Sequence, residues 1–311
     1  MNVQMAKIYS IGGGKGGVGK SFITGNLGVV FAKQGKKVIL VDLDLGGSNL
    51  HTFLGIQNPE TSLHDFLTKK IENLSQAATP TGIPGLSIIC SMNCSLEIAN
   101  LFHAQKQKII RAIQKLPYDY ILLDLGAGTN FNTLDFFLTS NEGIFIFTPE
   151  PTSIETTLRF IKAVFYRRLK QILKQRPFHP MLKEFTEKFG DTTISLSSIL
   201  DFVAEHDQDK GQLLFAKLKE YTFRFIMNEC RKHTNPKLGE NIEKVCNRHF
   251  YSKFQFLGSV SYDERVHDSV YSRKIYVNKY PYTPTATEIQ QIGRKMTEDH
   301  LGIDIIWQQL P

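Results

Sequence analysis

The sequence predicts an α/β fold, doubly wound around a mainly parallel sheet, and three observations carry that expectation. Apolar runs such as KVILVD at 37–42 and YDYILLD at 118–124 are too uniformly hydrophobic for half-exposed strands and suit strands covered on both faces. Stretches with apolar residues at helical spacing alternate with those runs along most of the chain. The N-terminal stretch up to Asp42 already reads strand, glycine-rich turn, helix, strand, which is a βαβ unit. A length of 311 residues admits two domains or one enlarged α/β unit, and the alternation favours a single domain over 1–311.

Each element follows from local pattern. Lys7–Ile11 is a short strand that runs into glycines. Ser21–Lys33 sets Phe22, Ile23, Leu27, Val30 and Phe31 near helical spacing, making an amphipathic helix that stops at Gly35. Lys37–Asp42 is the second strand. Strands are expected at Leu86–Cys90 and Tyr118–Asp124, with a helix over Glu97–Leu116 between them. Gly143–Thr148, Tyr221–Asn228 and Phe254–Val260 complete the strands, and Pro284 introduces a closing helix over Thr285–Leu301. Between the strands at 143–148 and 221–228 lie about 70 residues, where a crossover needs only about a dozen. A long helix over Ser153–Gln175, broken by Pro177 and Pro180, and shorter ones near 181–189, 195–206 and 210–220 make 151–220 a helical elaboration of the same domain.

Composition narrows the class further. With 41% hydrophobic and 22% charged residues, the chain is neither disordered nor low-complexity. No apolar run reaches the ~18 residues of a membrane span. The start, MNVQMAKIYSIGGG, does not read as a signal peptide. Cys90, Cys94, Cys230 and Cys246 are scattered, without zinc-ribbon spacing, and read as reduced thiols. A cytoplasmic protein is expected. The formal net charge of +7 is concentrated: 151–183 holds eight basic residues against one acid, Glu155. Leu158, Ile161, Phe165, Leu169, Ile172 and Leu173 form an apolar stripe there, which leaves Arg159, Lys162, Arg167, Lys170 and Lys174 as an outer basic face. That face suits an acidic protein or a lipid surface better than nucleic acid, because it lacks a base-reading motif.

The chemistry lies at the first turn. Gly14-Lys15-Gly16-Gly17-Val18-Gly19-Lys20-Ser21 satisfies G-x-x-x-x-G-K-[ST], the phosphate-binding loop. Its glycines let backbone N–H groups turn inward around phosphate oxygens at the positive end of the following helix. Lys20 is placed to reach the β- and γ-phosphates, and the Ser21 hydroxyl to ligate Mg²⁺. Asp42 and Asp44 end the second strand and Asp124 ends the strand at 118–124. Ligands of open parallel sheets bind outside the carboxyl ends of the strands, so these acids converge on the loop.

The loop resembles the deviant Walker A motif K-G-G-x-G-K-[ST] of the MinD/ParA ATPases, with Lys15 in the place of their signature lysine. Asp42-Leu-Asp44-Leu-Gly46-Gly-Ser-Asn49-Leu50 is similar to the family's switch I, Asp124-Leu-Gly-Ala-Gly128 to its switch II, and Gly258-Ser-Val-Ser-Tyr-Asp263 to its G-x-[IV]-P-x-D segment. The wording of the switches is nearest to the flagellar-number regulators, with the septum-site branch next. The resemblance implies ATP and Mg²⁺ as cofactors and an ATP-sandwich homodimer that recruits or positions a protein partner. Lys15 would then reach the partner's phosphates, Asp44 would orient the attacking water, and Ser21, Asp42 and Asp124 would form the metal shell. Gly14 to Ser21, Phe22, Gly126, Asn228 and Asp263 would line the nucleotide, with Gly126 sensing the γ-phosphate and Asn228 reading adenine. Ser261 stands where the family usually has Pro, and Ser48 and His51 depart from the septum-site pattern. A DNA-segregation ATPase, a metabolic P-loop synthetase and a nucleotide-binding scaffold are the alternatives. Tyr262, Tyr271, Tyr276, Tyr280 and Tyr282 are read as part of the fold, and the apolar C-terminus, Gly302–Pro311, as packed on the core.

Overall fold

A computed structural model describes residues 6–57, 59–91, 101–178, 181, 184, 196–250 and 252–307, with no side-chain description for 196–199 and 299–307. In chain order, β1 is Lys7–Gly12, α1 Lys20–Lys33, β2 Val38–Leu43, α2 Leu50–Phe53 and α3 Leu63–Leu67. A 3₁₀ turn at Leu74–Ala77 leads to β3 Thr79–Pro80 and β4 Leu86–Ile89. Then come α4 His103–Ile113, β5 Tyr120–Leu125, α5 Phe131–Phe137, β6 Glu142–Phe147 and α6 Pro151–Leu173. Helices α7 Leu196–His206 and α8 Gln208–Lys219 precede β7 Thr222–Cys230, α9 Leu238–His249 and β8 Lys253–Ser261. The chain closes with α10 Arg265–Tyr271, α11 Tyr276–Lys279 and α12 Pro284–Trp307.

The sheet has the order β3-β4-β2-β5-β1-β6-β7-β8, parallel throughout except for the short edge strand β3. The doubly wound, mainly parallel expectation holds. Alternate residues of each strand feed two separate cores, as the period of two requires. Ile39, Val41, Ile121, Leu123, Phe145 and Phe225 face α4, α5, α6 and α9, whereas Leu40, Leu122, Ile144, Ile146 and Ile226 face α1 and α12. On the first face, Phe137, Phe145, Phe160 and Phe223 pack ring against ring, with centroids 4.8–6.0 Å apart.

Two expectations need correction, and one strand is new. Helix α1 is buried on nearly every side rather than amphipathic, because α12, from the far end of the chain, covers the face that would otherwise meet water. Strand β3 has no counterpart in the sequence reading; two residues are too few for a periodic signal. The basic face of α6 is also smaller than its spacing suggests. Arg159, Lys162, Lys170 and Lys174 are exposed, but Arg167 turns inward to Asp135 and the Arg168 guanidinium lies 4.3 Å over the Tyr221 ring. The far half of α6 packs Phe165, Leu169, Ile172 and Leu173 with Phe178, Leu200, Val203, Leu214 and Leu218 into a third core, so the elaboration carries its own apolar centre. Residues 182–183 and 185–195, Cys94, residues 308–311 and the N-terminal part of the helix expected from Glu97 lie outside the described residues. Of the tyrosines, Tyr276 is buried, whereas Tyr271 and Tyr282 are almost fully exposed. No helix among the described residues is long and apolar enough to cross a membrane.

Candidate functional site

The glycine-rich loop leaves β1 at Gly12 and enters α1 at Lys20, at the carboxyl edge of the sheet. Two of its glycines are dictated by close approach. A Cβ at Gly14 would lie 2.1 Å from the Thr156 carbonyl oxygen of α6, and one at Gly19 would lie 2.2 Å from Asn228 Nδ2. Gly19 also has φ +86°, a left-handed conformation that favours glycine. Val18 is buried beneath the loop while Gly16 and Gly17 are exposed above it. Asn228, at the end of β7, donates from Nδ2 to the Val18 carbonyl at 3.0 Å and so braces the loop from below.

Beside the loop, strand register brings the two buried carboxylates together. β2 and β5 pair with Asp42 opposite Asp124. Ser21 Oγ donates to Asp124 at 2.6 Å and Thr24 Oγ1 donates to it at 3.0 Å. Asp42 accepts from Ser48 Oγ at 2.7 Å and from the Asp44 and Leu50 backbone N–H groups at 3.0 and 3.3 Å. Neither carboxylate is hydrogen-bonded to a cationic side chain in these contacts. Burial pushes Asp42 up to about 6. Burial, followed by the charge of Asp42, pushes Asp124 up to about 7. Lys20 is 8% exposed, and burial holds its ammonium below the usual lysine range against the pull of Asp124 and Asp44. The Asp44 carboxylate lies across from switch II: a Cβ at Gly126 would come within 3.1 Å of it.

Lys20, Ser21, Asp42, Asp44, Asp124 and Gly126 therefore meet at one place, as the motif reading requires. Three other expected positions differ in detail. Lys15 is held within its own chain, donating to Glu150 at 2.9 Å and to Thr152 Oγ1 at 3.3 Å. The Phe22 ring is buried in the core, edge-on to Tyr276 at 5.4 Å, which leaves only its backbone to face a phosphate. Asp263 is gripped by Arg265 at 2.8–3.1 Å and by the Tyr276 hydroxyl at 2.6 Å; the Arg265 bonds hold its carboxyl near about 2. Sequence reasoning missed Thr24 and Glu150, and it marked Ser48 only as a departure in switch I, not as a donor to Asp42. Thr24 was findable, since it sits one helical turn beyond Lys20 and Ser21 on the same face. Glu150 was not, because only the fold joins the ends of β1 and β6.

A profile of the CobQ/CobB/MinD/ParA nucleotide-binding domain matches residues 9–275. The chain belongs to that family. It is an ATP-binding P-loop protein, and membership implies ATP hydrolysis. Among its relatives, the antiactivator FleN of Pseudomonas aeruginosa is 24% identical over 292 residues, covering 93% of this chain and 86% of FleN. The septum site-determining protein MinD of Helicobacter pylori is 34% identical over 159 residues, half of this chain and 58% of that one. The fold matches that of Pyrococcus horikoshii MinD complexed with Mg-ADP, with a TM-score of 0.64 and 21% identity over 94% of this chain and 96% of the other. The MinD/ParA resemblance of the loop and switches is thus matched by the fold as a whole.

Proposed function

We propose that this chain is an ATP-dependent spatial regulator that dimerises in its ATP state, hydrolyses ATP slowly and recruits or positions a protein partner. The observation that carries the reading is the convergence of Asp42, Asp44, Asp124 and Gly126 over a phosphate loop that also bears Lys15. The names of the relatives, an antiactivator and a septum-site protein, point the same way.

The donor set fits magnesium. Ser21, Asp42 and Asp124 offer hard oxygens, and burial raises the pKa values of the two carboxylates, a cost that a bound cation would relieve. When bound, Mg²⁺ would neutralise charge on the phosphate oxygens. The chain's own groups do the rest. Lys20 and the inward N–H groups hold the β- and γ-phosphates, and Asp44 accepts a hydrogen bond from the attacking water and aims it. Lys15, released from Glu150, reaches the partner's phosphates and stabilises the charge that develops during transfer.

Sedimentation with ATP or ADP, paired with a phosphate-release assay, tests this reading. The expected result is an ATP-dependent dimer that Lys15→Ala loses, and turnover that Asp44→Ala removes while nucleotide still binds. An unchanged dimer in Lys15→Ala would remove the sandwich model. The exposed Arg159, Lys162, Lys170 and Lys174 support a second reading, non-specific DNA binding as in the segregation branch. Tight, ATP-dependent and salt-sensitive DNA retention would promote it over the protein-partner reading.

A further inference from the structure

The phosphate loop leaves a strand in the middle of the sheet, and the strand order gives a bound nucleotide a direction. Asp42 and Asp124 end β2 and β5 on one side of β1, so the metal and the γ-phosphate end of ATP belong on that side. The nucleoside then extends the other way, over the ends of β7 and β8. Asn228 marks the start of that path, because its bond to the Val18 carbonyl sets it against the loop.

Ser261 and Tyr262 close the path, and they face different ways. The Ser261 N–H and Oγ donate to the Glu288 carboxylate of α12 at 2.6 and 2.7 Å, and its carbonyl accepts from Thr285 Oγ1 at 2.9 Å. Ser261 is thus turned to α12. Tyr262 is tied to β7 through its N–H, which donates to the Cys230 carbonyl at 2.9 Å, yet the residue remains 42% exposed. The Arg231 guanidinium lies 3.9 Å over its ring. That pairing depends on an irregularity in β7. Met227 stands opposite Ser259 but Cys230 opposite Ser261, so β7 holds one extra residue there, which brings Arg231 level with Tyr262. Within this shift Glu229 has φ +58°, a left-handed conformation that a glutamate adopts only under constraint. Strain of this kind collects at ligand clamps.

Tyr262 lies about two strand positions beyond the level of Asn228, or about 6–7 Å, a step that one purine ring system spans. Of the parts of ATP only the base has a flat face to lay on a ring; ribose and phosphates do not. Arg231 also borders a cleft of about 460 Å³ between Pro151 of α6 and Leu238 of α9. That cleft opens on the face of the sheet opposite α1 and is lined by the carboxylates of Glu150 and Glu229, whereas Val18 packs on the α1 face with the loop.

We propose that the Tyr262 ring, backed by the Arg231 guanidinium, is the surface on which the adenine of bound ATP stacks. The inference rests on ATP binding at the loop and is indifferent to dimerisation and turnover. It gives Arg231 a supporting part: the guanidinium holds the ring flat against the end of β7 and leaves the base to meet the aromatic face.

The test compares ATP with tripolyphosphate, which offers the loop its phosphates without a base. Both are titrated calorimetrically, with magnesium, into the full chain and into Tyr262→Ala, Tyr262→Phe and Arg231→Ala, with melting curves to verify the fold. Tyr262→Ala should weaken ATP by about tenfold or more and leave tripolyphosphate within about twofold. Tyr262→Phe, which keeps the ring, should restore ATP binding, and Arg231→Ala should weaken ATP by less than Tyr262→Ala does. The riboside triphosphate of 2-aminopurine, a fluorescent isomer of adenine whose emission falls on stacking, supplies a direct signal. Its emission should be quenched by wild type and by Tyr262→Phe but recover at saturation in Tyr262→Ala. No ATP binding by wild type would overturn the nucleotide reading and this inference together. Tight ATP binding that Tyr262→Ala leaves unchanged would overturn the inference alone. So would equal losses of ATP and tripolyphosphate in that variant, failure of Tyr262→Phe to restore binding, or emission that stays quenched without the ring.

Discussion

Asp124 ends β5 and Asp135 lies on the helix that follows, and both are almost fully buried, yet their surroundings push them in opposite directions. Asp124 receives two hydroxyl groups and faces a second carboxylate, so burial dominates and its pKa rises. At Asp135 burial pulls upward as well. There the bidentate bond from Arg167, at 2.7 and 2.8 Å, and the buried Lys106 ammonium outweigh it and hold the carboxyl below the usual range. One site is electrically complete as folded. The other sets two buried carboxylates side by side, with the Lys20 ammonium too weak a counterweight to offset their burial. Buried charge in this protein thus has two meanings, and the partners, not the burial, tell them apart.

Removing Asp135 should be the most damaging single change, because it strands Lys106 as an uncompensated buried ammonium. Asp135→Ala is expected to cost about 3–5 kcal/mol of folding stability, read from urea unfolding. A loss below about 1 kcal/mol would mean that Lys106 finds another partner and that the contrast with Asp124 is overstated. Lys20→Ala acts at the other site and on binding rather than folding. ATP affinity should fall at least about 100-fold, near 2.8 kcal/mol, in a titration with the folded variant. Equal affinity would detach the loop from nucleotide altogether.

Asp124→Asn sharpens the comparison, because it removes a charge that burial disfavours. At pH 8 the nucleotide-free protein should gain about 1 kcal/mol, while stabilisation by magnesium and ATP disappears. The pH dependence follows the same sign. Asp42 and Asp124 hold protons more tightly folded than unfolded, so their contribution is greatest in acid and is lost as pH rises through about 6 to 7. Asp135 is the reverse: its contribution is present above the unfolded value of 3.8 and lost as pH falls below it. Melting curves from pH 4.5 to 8 should therefore show a decline in wild type that levels off above about pH 7, which Asp124→Asn flattens and Asp135→Asn keeps. Arg159→Ala marks the lower bound. Its exposed pair with Glu155 should be worth no more than about 0.5 kcal/mol by thermal denaturation.

The contrast also explains which parts of the molecule were legible beforehand. The phosphate loop, Asp42 and Asp124 are local signals: a glycine pattern, and carboxylates that end apolar runs. The strand set was legible for the same reason. The Asp135 network was not, because Lys106, Asp135 and Arg167 come from three helices and none belongs to a motif. The same distance hid the inward turn of Arg167, which periodicity alone assigns to solvent. Asn228 was visible as a residue ending a strand, but its bond to Val18 joins groups 210 positions apart. The full burial of α1 depends likewise on α12, at the other end of the chain.

Helix α6 touches both halves of the molecule. Its first turns carry Thr152 and Thr156, the one bonded to Lys15 and the other pressed against Gly14, while its last turns are sunk in the core of the elaboration. A helix of 23 residues is about 34 Å long and stiff. It is a boom with its short end against the phosphate loop. A tilt of about 5° there would sweep the far end through about 3 Å, more than half a helical turn. Any such tilt would displace the basic surface on its outer side far more than the loop itself.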